Sequence, residues 1–192
     1  GRLVLGVGIG GEDRHEVVSC GIDPSTRGRR MDECMRVIRD VQSGAPVTFR
    51  GEFFELHDVV IDPPPRPPIP MIVGGRSAAA VRRAGRLGDG WLGIWVSPER
   101  FAAATAEADH EADRAGRAQV EWRHGMTVWC GFDTGSNDGR SAVGSVMEQI
   151  YRQPFERFAR YVPTGSPAAV ADALGPYADA GCRTFNLLAH AA

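Results

Sequence analysis

Met71-Ile72-Val73-Gly74-Gly75-Arg76-Ser77 is the stretch on which the fold turns. Three apolar residues make a short strand. Two glycines end it, and Ser77 caps the helix that follows. Residues 78–87 have helical composition and stop at Gly88; Trp91–Trp95 is the next apolar strand. Strand, turn, helix and strand within some 25 residues form a βαβ unit, which demands parallel strands.

The same rhythm continues downstream. Ser97 caps a helix with Pro98 at its first position and Glu99 in its first turn, running to about Ala115 before Gly116. Met126–Cys130 is a strand, residues 140–151 a helix, and Ser166-Pro167 opens a further helix to Ala180. Phe185–Leu188 is the last strand. Upstream, Leu3-Val4-Leu5-Gly6-Val7-Gly8-Ile9 reads as a strand buried on both faces. Met31, Cys34, Met35, Ile38 and Val41 mark a helix over 26–42.

Residues 44–70 break the alternation. Val47-Thr48-Phe49 and Phe53-Phe54-Glu55-Leu56 around Arg50-Gly51 predict a hairpin. Asp62-Pro63-Pro64-Pro65-Arg66-Pro67-Pro68-Ile69-Pro70 lacks amide donors, so it reads as an extended connector. The rest is one α/β domain over 1–192 with five parallel strands. Such a set fits a doubly wound sheet or part of a (β/α)8 barrel, and periodicity does not choose.

Every basic residue is arginine; lysine is absent. Imine-forming lysine enzymes and P-loop NTPases are thereby excluded. A formal charge of -2 argues against a nucleic-acid partner, which needs a basic face. No membrane span or signal peptide is legible, and the unpaired Cys20, Cys34, Cys130 and Cys182 suit a reduced, cytoplasmic protein. The five histidines show no ligand spacing, so no metal site is expected. Arg82, Arg83 and Arg86 read as a solvated helix face.

Two glycine motifs carry chemistry. At Gly74-Gly75-Arg76-Ser77, helix-start amides, the Ser77 hydroxyl and the Arg76 guanidinium can converge on one phosphate. The plainer alternative is a helix cap beside a solvated arginine. Gly6-Val7-Gly8-Ile9-Gly10-Gly11 matches a dinucleotide fingerprint, which would make the chain an NAD(P)-dependent dehydrogenase. Against that, Glu12–Glu16 is short and acidic, and no second strand ends in a carboxylate about 20 residues on. The glycines can instead simply end a strand.

The order of these motifs resembles the bacterial luciferase-like monooxygenase family, whose members use flavin mononucleotide (FMN) or the deazaflavin F420. The resemblance runs through Leu3–Glu12, Arg27–Glu33, the hairpin, Ile72–Ser77, Ala84–Trp91, Gly165-Ser166-Pro167 and Ala180-Gly181. It implies a partial (β/α)8 (TIM) barrel holding strands four to eight, with the hairpin as an insertion. It implies an oxidoreductase or monooxygenase acting on a small-molecule substrate. Gly74, Gly75, Arg76 and Ser77 would hold the cofactor phosphate, and Gly8, Gly10 and Gly11 would border its ring. Glu12 is the catalytic acid–base candidate, with Glu16 nearby, and Trp95 the substrate-pocket candidate. The resemblance also implies a missing first third, expected as a fragment or truncation, and a homodimer for the longer protein. A non-catalytic partial barrel binding a phosphate ligand is the remaining alternative.

Overall fold

The computed structural model describes residues 2–11, 13–117, 119–135 and 138–191. The elements are β1 (Leu5–Val7), α1 (Arg14–Ser19), α2 (Arg27–Val41), β2 (Val47–Arg50), β3 (Glu55–Val59), β4 (Met71–Gly74), α3 (Ala78–Leu87), β5 (Gly90–Ile94), α4 (Pro98–Arg114), β6 (Gly125–Phe132), α5 (Gly139–Tyr151), β7 (Thr164–Gly165), α6 (Pro167–Asp179) and β8 (Thr184–Ala191). Two short 3-10 turns, Phe155–Arg157 and Ala159–Tyr161, lie between α5 and β7.

The main sheet is parallel. β1 pairs with β4, β4 with β5, β5 with β6, and β6 with β8. The two-residue β7 also pairs with the end of β6. Apart from the hairpin strands and β7, each strand lies beside the next in sequence and the order never reverses. A doubly wound sheet reverses at a switch point; one unreversed winding is a segment of a barrel. The fold is therefore a partial (β/α) barrel. The antiparallel pair β2–β3 stands apart as the expected hairpin.

The register separates the two faces. Val7, Val73 and Trp91 align across β1, β4 and β5, and Met126 aligns with Phe185. These residues join Val81, Ala84, Phe101, Ala104 and Ala108 in the main core, so this face packs on α3 and α4. The opposite face carries Gly6, Ile72, Gly74, Gly90, Leu92, Ile94, Gly125 and Thr127. Of its glycines, Gly6 has nothing within 4 Å of an added Cβ, whereas at Gly90 and Gly125 a Cβ would come within 3 Å of the Arg123 and Thr184 carbonyl oxygens.

Two expectations need correction. The run 3–9 is not buried on both faces: only Leu5–Val7 is strand, and Leu3 and Val4 are 59% and 49% exposed. β1 has one strand neighbour, so an apolar run does not guarantee burial. Arg83 is not part of a solvated face. It is 5% exposed, pairs with Asp32 of α2 and donates to the Gly28 carbonyl at 3.1 Å. The connector 60–70 forms neither strand nor helix and has cis peptide bonds at Asp62-Pro63 and Arg66-Pro67. The four cysteines are free, and no helix is long and apolar enough to cross a membrane among the described residues.

Candidate active site

In parallel sheets, ligands bind beyond the C-terminal strand ends. Here β4 ends in Gly74. Gly75 follows at φ +124°, a conformation that L side chains rarely adopt, and an added Cβ would lie 3.1 Å from the Ala80 methyl. Ser77 is the N-cap of α3, its hydroxyl accepting from the Ala80 amide at 3.2 Å. Ala78 and Ala79 are exposed at the helix start, where amides have no upstream carbonyl partner. The buried indole of Trp91 donates to the Gly75 carbonyl at 2.7 Å and so fixes this turn from the helix side.

The loop after β1 is tied down similarly. Arg27 of α2 donates to the Gly11 carbonyl at 3.0 Å, and Asp13 caps α1 through the His15 amide at 2.8 Å. Gly10 has φ +87°, and nothing lies within 4 Å of a Cβ built at Gly8. The helix after this loop is only six residues long, unlike that of a dinucleotide-binding unit. Glu12 lies outside the described residues.

A cavity of about 910 Å³ brings Gly11, Arg76 and Trp95 together, with Asp13, Glu16, Tyr151 and Phe158 among its walls. Arg76 lies over the Trp95 ring at 5.1 Å. Trp95 sits just past β5 with φ +51°, a strained placement for a bulky residue. Its ring contacts Tyr151 at 4.8 Å and Phe158 at 4.7 Å. Its Nε1 is buried without a hydrogen-bond partner among the described residues. Gly8 and Gly10 border a separate apolar cavity of about 350 Å³ between α1 and α2. The structure thus brings Gly11, Arg76 and Trp95 into one cavity and leaves Gly8 and Gly10 beside another.

Sequence reading missed residues 152–161, which follow the helix ending at Tyr151. Tyr151-Arg152-Gln153-Pro154-Phe155-Glu156-Arg157-Phe158-Ala159-Arg160-Tyr161 alternates aromatics with arginines and has no helical or strand period. That interleaving was the available signal. His190 stacks on Trp129 at 5.4 Å, and Trp129 donates to the Tyr151 hydroxyl at 3.1 Å. Among the described residues no cluster suits a metal ion.

A single-wound parallel sheet with a cavity and helix caps at its C-terminal end defines a partial (β/α) barrel. The luciferase-like monooxygenase model matches residues 1–162, and the chain belongs to that family. It is 28% identical to an F420-dependent glucose-6-phosphate dehydrogenase of Kineococcus radiotolerans, covering 94% of this chain and 60% of that protein. It is 34% identical to an uncharacterized protein of Mycobacterium tuberculosis, covering 60% of this chain and 40% of that one. An F420-dependent secondary alcohol dehydrogenase, solved with an F420-acetone adduct, superposes with a TM-score of 0.78 at 21% identity, covering 100% of this chain and 65% of that one. The F420-dependent tetrahydromethanopterin reductase of Methanopyrus kandleri gives 0.72 at 18% identity, covering 98% and 68%. The chain thus spans less than two thirds of the curated relatives it matches here.

Proposed function

We propose that this chain supplies the cofactor-phosphate and substrate walls of an F420- or FMN-dependent oxidoreductase. The turn from Gly74 to Ser77 carries the reading. A glycine held at φ +124°, exposed helix-start amides and the adjoining arginine form a cradle that a Cβ would crowd, and it opens beside the cavity. That donor set suits a phosphate monoester without lysine. The bound flavin or deazaflavin would supply the electron or hydride transfer. Ser77, Arg76 and the helix-start amides would hold its phosphate. Gly11 would admit its ring, and Trp95 would wall the substrate, while Gly8 and Gly10, beside the other cavity, would only shape the loop that carries Gly11.

Proton transfer would fall to Glu12 or to Glu16, the latter lining the cavity. The five strands would be the fourth to eighth of an eight-strand barrel, leaving the outer edges of β1 and β8 for the other three. The relatives' names support F420 over FMN, and flavin-dependent neighbours support the wider class. A small organic substrate, a cytoplasmic location and a homodimer in a longer protein complete the proposal. Fluorescence titration with FMN and with F420 tests it. Ser77→Ala with Arg76→Ala is expected to weaken binding at least tenfold; unchanged affinity would refute the anchor.

A further inference from the structure

The apolar cavity of about 350 Å³ holds two thiols that the cofactor reading does not use. Cys20, at the C-terminal end of α1, is exposed; Cys34, on α2, is half-buried; both line the cavity. Cys34 shares its helix face with Met31, another wall of the same space. Of the two helices, α1 is the loosely held one. Val17 is half-buried and its other residues are exposed. The amides of Cys20 and Gly21 return to the Val17 and Val18 carbonyls, within α1 itself. Gly21 follows at φ +71°, with nothing within 4 Å of an added Cβ, and so offers a hinge beside the thiol. Glu16 lies one turn before Cys20 and lines both this cavity and the larger one. Cys130 and Cys182 are buried, and burial pushes both thiols up, away from reactivity.

We propose that Cys20 and Cys34 are a hydroperoxide-sensitive thiol pair that closes into a disulfide and draws α1 onto α2. First the exposed Cys20 thiolate attacks the peroxide. An S–O bond forms, the O–O bond breaks, and the departing oxygen takes up a proton, leaving a sulfenic acid. The Cys34 thiolate then attacks the Cys20 sulfur. The S–S bond forms, the S–O bond breaks, and hydroxide takes up a proton and leaves as water. The two sulfurs together lose two electrons and the peroxide gains them; a thiol reductant reverses the change. The reduced pair is the resting form. Because α1 carries Glu16, closure also alters one wall of the larger cavity. That this changes cofactor binding rests on the reading of the larger cavity as the active site. The thiol pair itself does not.

Hydrogen peroxide treatment of the whole chain, then trypsin digestion without reductant, tests the pair. Cleavage at arginine places Cys20 in peptide 15–27 and Cys34 in peptide 31–36, apart from the other two cysteines. The expected product is a link between these two peptides in a chain that stays monomeric on a non-reducing gel, released by dithiothreitol. Cys34→Ser should leave a Cys20 sulfenic acid that dimedone traps, and Cys20→Ser should give neither link nor adduct. Slow labelling of Cys130 and Cys182 reports that each variant keeps its fold. No link, a link to Cys130 or Cys182 in equal yield, or a link only between chains would overturn the pair. The oxidised chain should bind FMN or F420 about fivefold more weakly than the reduced chain. Cys20→Ser/Cys34→Ser should bind alike before and after peroxide. The link with unchanged cofactor affinity would overturn the coupling through Glu16. The link without FMN or F420 binding in either state would instead overturn the cofactor reading and leave the thiol pair standing.

Discussion

Trp91 shows how one residue links core to site. Its ring is 1% exposed and lies 5.5 Å from Phe101, while its Nε1 reaches the Gly75 carbonyl. Trp91→Phe keeps much of the packing and removes one hydrogen bond worth about 1 kcal/mol. Cofactor affinity should fall about fivefold in titration, although the indole touches no cofactor. The Trp91 amide in turn donates to Nδ1 of His124 at 3.1 Å. Burial pushes the His124 pKa down to about 4, partly opposed by Asp109. Between the ordinary value of 6.5 and about 4, the unfolded chain takes a proton that the folded chain refuses. Stability is therefore fully present above pH 6.5 and falls with pH below it, by up to about 1.4 kcal/mol per pH unit. Urea melts across this range should show that slope in the wild type and lose most of it in His124→Asn. Nothing in Trp122-Arg123-His124 announces a buried imidazole, because the burial comes from distant strands. Ser77 was legible as a cap because capping is local.

Among the elements, α2, α3 and α4 show where local reading stops. The bounds of α3, Ala78–Leu87, agree with the sequence because Ser77 and Gly88 punctuate it. Its faces were harder to read. Arg83 looks like surface charge in sequence, yet Asp32 arrives opposite it from a helix 51 residues away. Arg83→Ala should cost about 3 kcal/mol in urea denaturation, since it leaves the Asp32 carboxylate, 21% exposed, with only the longer contact to Arg86 at 3.8 Å. Gly85 permits the contact of α3 with α4: an added Cβ would stand 2.4 Å from the Ala108 carbonyl oxygen. Gly85→Ala should destabilise by about 1–3 kcal/mol in the same assay. Residues 155–161 escaped sequence reading for a related reason. Short 3-10 turns have no extended period, and their residues gain meaning only from the cavity they border.

For the whole molecule, the alternation of strands and helices announced a parallel sheet, and the strand order made it a partial barrel. The run 3–9 shows the limit of that inference, because apolar sequence does not reveal whether a strand has one neighbour or two. The two ends of the sheet also offer a choice of site. A cavity of about 960 Å³ at the N-terminal strand ends is lined by Arg39, Arg117 and Arg123 among others. There Asp89 holds Arg39 at 2.8 Å and Arg117 at 3.4 Å, and accepts from the Met71 amide at 2.8 Å. These bonds tie loops together at the end of a barrel that usually serves stability. A crystal structure with bound F420 or FMN separates the two ends most directly. The expected result is a cofactor phosphate within hydrogen-bond distance of the Ser77 hydroxyl and the Ala78 and Ala79 amides, with the ring beside Gly11 and Trp95. A phosphate seated on Arg39 and Arg117 at the opposite end would contradict it.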